Sequence, residues 1–285
     1  MLIVGGSASK TISQNLSKVM NANLAEVNSK RFPDDECYIR IMTDLTGEDI
    51  VLVQNTYPDL NIIELFLLQD AIKEYDIKKL VTVIPYFGYG RQDKKFNEGE
   101  SISARALVKR IQVQSDAVIT VDLHETSILD WFDIPARNVS AMPEIGRYLR
   151  QFNIDIVVSP DKGAAELAEL TAKTLECPWD YLDKTRIDSE TVKIAPKSIP
   201  VEGKRVAIVD DIIATGGTII TASNQLKEQG CDSVIVACTH GLYTGGAINK
   251  LINSLDKVIS TDSLETKTSE VSSAPEIKSA LLELL

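Results

Sequence analysis

Asp210 and Asp211 stand side by side in the run VAIVDDIIATGGTII, residues 206 to 220, followed by Thr215, Gly216, Gly217 and Thr218. Carboxylates accept hydrogen bonds from sugar hydroxyls and ligate magnesium or its water, but they do not hold phosphate. A T-G-G-T turn has the opposite preference. Where it follows a strand and opens a helix, its amides and hydroxyls converge at the end of the helix dipole that favours an anion. Together the two features describe a site for a phosphorylated sugar. A bare T-G-G-T is also an ordinary glycine turn, and it is the preceding acid pair that points to a ligand. Unpaired charge is disfavoured inside a strand, so this strand is expected to end where the acids begin, with both at its carboxyl edge. By contrast GGSASKT, residues 5 to 11, imitates a P-loop but has Ser9 where G-x-x-x-x-G-K-[ST] needs glycine.

The elements that must position these residues alternate along the chain. Short β-rich runs (LIV, DIVLVQN, KLVTVIPYF, AVITVDL, DIVVSPD, KRVAIVDD and SVIVACTHG) are separated by helix-length segments with apolar residues near i, i+3, i+4 spacing. The helical segments include ISQNLSKVMN, IIELFLLQDAIKEY, SISARALVKRIQ, AAELAELTAKTL and IITASNQLKEQG. Strands joined by helical crossovers argue for α/β domains with mainly parallel sheets flanked by helices. Pro135 and Pro143 punctuate a turn-rich stretch, which places a domain boundary near Ala141: residues 1–141, then 142–274. The Ser/Thr-rich tail from Thr261 to Pro275 leads into IKSALLELL, a short apolar helix over 275–285 that must dock on a core and is expected on the first domain.

Two domains also suit 285 residues. Thirty Lys plus Arg against 41 Asp plus Glu give a formal charge of −11, which argues against nucleic acid as a partner and requires local cations for any anionic ligand. Cys37, Cys177, Cys231 and Cys238 show neither C-x-x-C spacing nor a nearby histidine pair, so they read as reduced packing residues. No window approaches ~18 continuous apolar residues and the amino terminus lacks the pattern of a signal peptide, so no membrane partner is expected and a cytoplasmic location is.

VDDIIATGGT resembles the ribose 5-phosphate motif shared by type I phosphoribosyltransferases and ribose-phosphate pyrophosphokinases. That stretch alone leaves both open. Other segments resemble the pyrophosphokinase family in order and spacing over nearly the whole chain: KRFPDDE at 30–36, PYFGYGRQDKK at 85–95, VDLHE at 121–125, SPDKGA at 159–164 and THGLYTGGA at 239–247. The resemblance implies two phosphoribosyltransferase-like domains and transfer of the β,γ-diphosphoryl group of ATP to the anomeric hydroxyl of ribose 5-phosphate, with Mg2+ as cofactor, in nucleotide biosynthesis. Such chemistry needs cations arranged around phosphates rather than covalent catalysis.

Residue by residue, the resemblance assigns catalysis to Lys184 and Arg186 of YLDKTRID. ATP falls to Phe32, Asp34, Asp35, Glu36, Arg91 and Gln92, and metal to His124 and Asp161. Ribose 5-phosphate falls to Arg186, Asp210, Asp211, Ala214, Thr215, Gly216, Gly217 and Thr218. It further implies a homodimer or higher homo-oligomer in which the RFPDDE arm serves a neighbouring subunit's ATP. His240 reads as structural. The chain departs from many members at Ala214, where an acid is common, and at Lys162 and Ala164, where Ala and Gly are common. A phosphoribosyltransferase needs no second α/β unit carrying RFPDDE and GRQDKK, and a regulatory relative without turnover needs neither Lys184 nor Arg186.

Overall fold

The computed structural model describes the backbone of residues 1–186, 192–196 and 199–285, and the side chains of 1–183 and 199–285. The chain divides into two units, Met1–Ser140 with Ser263–Glu265 and Ser272–Leu285, and Ala141–Asp262 with Thr266–Val271. The tail is thus divided more finely than by a single cut after residue 274.

In the first unit the order is β1 (Leu2–Gly5), α1 (Lys10–Met20), β2 (Asn23–Leu24), β3 (Val27–Arg31), β4 (Cys37–Ile41), β5 (Asp49–Val53), α2 (Asp59–Lys73), β6 (Lys79–Ile84), α3 (Ser103–Ile111), β7 (Ala117–Val121) and β8 (Ala136–Val139). Six strands form a parallel sheet, β2-β1-β5-β6-β7-β8. Parallel strands covered on both faces read as nearly continuous apolar runs, and DIVLV and AVITV do, interrupted only by Asp49 at the start of β5 and the buried Thr120 of β7. Val4, Ile50, Leu52, Leu80, Ile84 and Val118 pack with Leu65, Leu68 and Ile72 of α2 and with Leu107, Val108 and Ile111 of α3. The alternate residues Ile3, Val51, Val81, Val83 and Ile119 are equally buried, as a period of two requires. Strands β3 and β4 stand apart as an antiparallel hairpin.

The second unit runs α4 (Met142–Leu149), β9 (Ile156–Ser159), α5 (Ala165–Leu175), β10 (Trp179–Arg186), β11 (Val192–Pro196), β12 (Arg205–Ile213), α6 (Gly217–Glu228), β13 (Ser233–Gly241), α7 (Ala247–Ser254), β14 (Lys257–Thr261) and β15 (Ser269–Val271). Its seven-stranded sheet, β11-β10-β9-β12-β13-β14-β15, is parallel except where β11 returns antiparallel to β10. Val157, Ala207, Val209, Ile235 and Ala237 face α4 and α5. Their neighbours Ile156, Val158, Val206, Ile208, Val234 and Val236 face α6 and α7.

The last helix, α8 (Ala274–Leu284), belongs to the first unit, where it packs on α1, β7 and β8. Lys278 Nζ donates to the Val19 carbonyl at 2.8 Å, and Ile277 and Leu281 are fully buried. The Ser/Thr-rich segment before it is itself largely buried. In the second unit Thr268 Oγ1 lies 2.9 Å from both the Ser260 and Tyr243 hydroxyls, while in the first the Ser263 carbonyl accepts from Asn55 Nδ2 at 2.7 Å. Hydroxyls here replace apolar side chains because each finds a partner. Among the described residues no helix is long and apolar enough to cross a membrane.

Candidate active site

Strand β12 does not stop where the acids begin. It continues through Asp210 and Asp211 to Ile213, pairing with β13 at Asp210↔Cys238, Ile212↔His240 and Ile213↔Gly241. The reason lies on the other side: pairing with β9 ends at Ile208↔Val158, so the acids are laddered on one edge only. Asp211 N donates to Asp210 Oδ1 at 3.0 Å and Ile212 N to Asp211 Oδ1 at 2.8 Å, which satisfies amides as well as carboxylates. Burial, followed by the charges of Asp211 and Asp161, pushes the Asp210 carboxyl well above its ordinary range. Asp161 follows the end of β9, the parallel neighbour of β12, and so lies at the same carboxyl edge as the acid pair.

The turn after β12 is built on backbone geometry. Gly216 has φ 71° at the N-cap of α6, and a Cβ there would lie 2.8 Å from Leu251 Cδ2. An L side chain would be both strained and obstructed. Glycine therefore lets the chain turn tightly into α6 while Leu251 of α7 packs beneath it. Thr215, Gly217 and Thr218 are exposed around the helix start and Ala214 is half-buried. From the β13 end, Leu242 N and Tyr243 N both donate to the Ile213 carbonyl, at 3.1 and 3.0 Å, which pins the strand end from which the turn departs. Tyr243 is buried with its ring over Gly241, and His240 is buried within β13.

Asp161 Oδ1 accepts from Gly163 N at 2.8 Å and from Ala164 N at 3.4 Å, capping the turn that leads into α5; Lys162 is exposed beside it. Lys184 and Arg186 lie in β10, in register with Ile194 and Val192 of β11, but their side chains fall outside the described residues. The rest of YLDKTRID, residues 187 and 188, falls outside them entirely.

In the first unit, Arg91 and Gln92 follow β6 and His124 follows β7, neighbouring strands whose carboxyl ends face the same way. Gln92 Oε1 accepts from Ser103 Oγ at 2.6 Å, which ties this loop to the start of α3, while Arg91 and His124 are exposed. Phe32, Asp34, Asp35 and Glu36 form the turn of the β3–β4 hairpin rather than part of this edge. Phe32 N donates to the Glu36 carbonyl at 2.9 Å, and Asp35 adopts φ 68°. Phe32 stacks edge-on with Tyr38 at 5.7 Å between ring centres, with Lys30 Nζ 5.8 Å above it. The hairpin was not legible in the sequence, although KRFPDDECY, a proline turn between β-forming residues, carries a weak signal for one.

Residues 1–114 match the N-terminal domain of ribose phosphate pyrophosphokinase, and residues 131–276 the phosphoribosyl transferase domain. A ribose-phosphate pyrophosphokinase of Methanopyrus kandleri is 37% identical over 289 residues, covering 100% of this chain and 99% of its own. The chain belongs to the ribose-phosphate pyrophosphokinase family. Its Pyrococcus furiosus relative of the same name is 38% identical over 284 residues, covering 99% of this chain and all of its own. The crystal structure of phosphoribosylpyrophosphate synthetase from Mycobacterium smegmatis superposes with a TM-score of 0.84 at 28% identity, covering 99% of this chain and 98% of that one. The chain is therefore an enzyme of the diphosphotransferase class, with the two parallel-sheet domains that the family resemblance implied.

Proposed function

We propose that this pyrophosphokinase transfers the diphosphoryl group of ATP to the 1-hydroxyl of ribose 5-phosphate, giving 5-phosphoribosyl 1-pyrophosphate and AMP, in a magnesium-dependent reaction. One observation carries the reading. Asp161, Asp210 and Asp211 share a sheet edge with the Thr215–Thr218 turn, in a chain whose first 114 residues match a pyrophosphokinase domain. The turn would take the 5-phosphate at the start of α6, and the acids would accept from the ribose hydroxyls.

The donor set fits magnesium. Asp161 offers a hard oxygen at a sheet edge that also carries Asp210 and Asp211, an all-oxygen donor set of the kind magnesium takes. Among the described residues no cluster of three His, Cys, Asp or Glu could hold a metal ion. His124, through water, would hold the magnesium that arrives with ATP, and Asp161 a second one near the ribose hydroxyl; when bound, magnesium neutralises phosphate charge. Phe32 stacks on adenine, and carboxylates of its turn accept from the exocyclic amine. The sugar hydroxyl oxygen attacks the β-phosphorus in line, AMP departs, and the sugar's proton passes to solvent. Lys184 offsets charge developing on the transferred group, while Arg186 clamps a phosphate with its planar fork.

The test is incubation with ribose 5-phosphate, ATP and magnesium. Equimolar AMP and 5-phosphoribosyl 1-pyrophosphate are expected; ADP in place of AMP, or no turnover, would overturn the reading.

A further inference from the structure

The buried acid Glu64 lies outside every role assigned above. It sits on α2, one of the apolar helices of the first unit, and is only 1% exposed, whereas helix α2 otherwise turns Leu65, Leu68 and Ile72 into the core. A buried carboxylate is costly unless fully hydrogen-bonded, so its partners indicate what it is for. Both oxygens are used. Oε1 accepts from Ser7 N at 2.8 Å and from Ser29 Oγ at 3.2 Å, and Oε2 accepts from Ser7 Oγ. Ser7 belongs to the loop leaving the carboxyl end of β1, and Ser29 is the middle residue of β3. One carboxylate therefore joins a sheet-edge loop, a core helix and the hairpin that carries Phe32–Glu36.

A second pin lies nearer the tip. Arg31 donates from Nη2 to the carbonyl of Leu60, in the first turn of α2, at 3.4 Å, and from Nη1 to the Asp35 carbonyl, inside the turn, at 2.9 Å. The turn itself is exposed throughout, with Phe32 42% accessible. A two-stranded hairpin is marginally stable by itself, so its direction is set by what holds its base. Ile41, with Val27 and Ile39 beside it, seats the base in the core, while Glu64 holds the middle of β3 and Arg31 ties the Asp35 carbonyl of the tip to α2.

The geometry points to Glu64 as a positioning residue for ATP, which fixes the angle at which the hairpin presents Phe32 and Glu36. This rests on the assignment of that turn to the nucleotide in the proposed reaction. Hydrogen bonds to a charged acceptor are the stronger kind, and the carboxylate makes them without reaching the nucleotide. Loss of this anchor widens the range of hairpin orientations, so the nucleotide must select the competent fraction. The apparent affinity for ATP falls by that fraction. Chemistry at the second unit's cradle, once ATP is bound, is unchanged.

Steady-state constants of the full chain test this, with Glu64→Gln, Ser29→Ala, their combination and Phe32→Ala. Glu64→Gln keeps the shape and one acceptor, and Ser29→Ala removes a single exposed hydroxyl, so neither depends on a large cavity being tolerated. Each is expected to raise the KM for ATP by about tenfold, with kcat and the KM for ribose 5-phosphate within about twofold. The combined variant should raise the KM for ATP by less than the product of the two single effects, because both weaken the same Glu64–Ser29 contact. If Phe32→Ala raises the KM for ATP but Glu64→Gln and Ser29→Ala leave it within about twofold, the positioning role is wrong. If both KM values, kcat and the thermal midpoint all deteriorate together, Glu64 serves stability only and the inference also fails. If Phe32→Ala itself leaves the KM for ATP unchanged, the assignment of the turn to ATP is what has failed.

Discussion

Two turns carry most of the proposed binding chemistry, and they are built in opposite ways. The Thr215–Thr218 turn is rooted in a seven-stranded sheet, with Gly216 at φ 71° pressed against Leu251 and the preceding strand end held by two amides of the β13 loop. The Phe32–Glu36 turn also contains a residue with positive φ, Asp35 at 68°, yet it caps a two-stranded hairpin outside the main sheet and every residue of it is exposed. The first offers backbone amides and a helix start, whose geometry is preset for an anion. The second offers side chains, whose placement depends on how the hairpin is anchored. A rigid cradle matches the small, highly charged sugar phosphate proposed for it, and a side-chain turn matches the nucleotide proposed for the hairpin.

The largest expected effect sets the scale for both. Lys184→Ala should lower kcat by about 100-fold or more while leaving the KM values of both substrates near wild type, because the lysine is assigned to charge present mainly in the transition state. A proportionate rise in the KM for ATP with kcat preserved would move Lys184 from catalysis into binding, alongside the arm. The next test asks whether arm and cradle work on different subunits. Glu36→Ala and Lys184→Ala subunits, each nearly inactive alone, should recover about a quarter of wild-type activity on equal mixing, since about half of random dimers are mixed and one of their two sites is intact. Exchange demonstrated by mass-tagged subunits without recovery would show that the arm serves its own chain.

Gly216→Ala and Asp35→Gly exploit the shared positive φ directly. At Gly216 the added methyl meets Leu251 at 2.8 Å, so the KM for ribose 5-phosphate should rise about tenfold while the KM for ATP stays within about twofold. At Asp35 a glycine adopts the same φ freely, and thermal stability should shift by no more than about 0.5 kcal/mol. Equal tolerance at both positions would erase the contrast between a supported and an unsupported turn.

An effect on stability alone, with no kinetic counterpart, lies at the opposite end of the second sheet. There Arg205 donates to Asp155 from Nε at 2.9 Å and Nη2 at 3.0 Å, and its side-chain and backbone hydrogen bonds hold the Asp155 carboxyl down at about 2. The folded-state value is depressed, so the pair's stabilisation is present above the unfolded carboxyl's pKa, near 3.8, and is lost as pH falls towards about 2. Both side chains are more than a third exposed or close to it, which cuts the contribution to about 1 kcal/mol. Asp155→Asn should cost that much stability at pH 7, with the difference from wild type shrinking below pH 4. Neither KM should change, because the pair lies at the amino ends of β9 and β12, away from the cradle. A shift in the KM for ribose 5-phosphate would mean that cradle geometry is coupled to the far edge of the sheet.

The alternating strands and crossover helices were legible because each is a local pattern: DIVLV and AVITV are nearly continuous apolar runs, and α3, α5 and α6 bring apolar residues into the core at helical spacing. The T-G-G-T turn was legible for the same reason, since the need for positive φ is met by glycine within a few residues of chain. The end of β12 was misjudged because the cost of two acids in a strand depends on whether a neighbouring strand lies beside them, and the early end of β9 is a property of the sheet. The hairpin escaped notice because its alternation is short and largely polar, and the core on which its Val27, Ile39 and Ile41 pack comes from distant segments. Glu64 was invisible as anything but an interruption in an apolar helix. Sequence by itself determined the elements, the glycine-dependent cradle and the family motifs, all set by neighbours along the chain. Only the tertiary structure decided which buried polar groups find partners, as Glu64 does with Ser7 and Ser29, 57 and 35 residues away. The reason is physical: a buried charge takes its meaning from the donors that surround it, and those arrive from distant segments only when the chain folds.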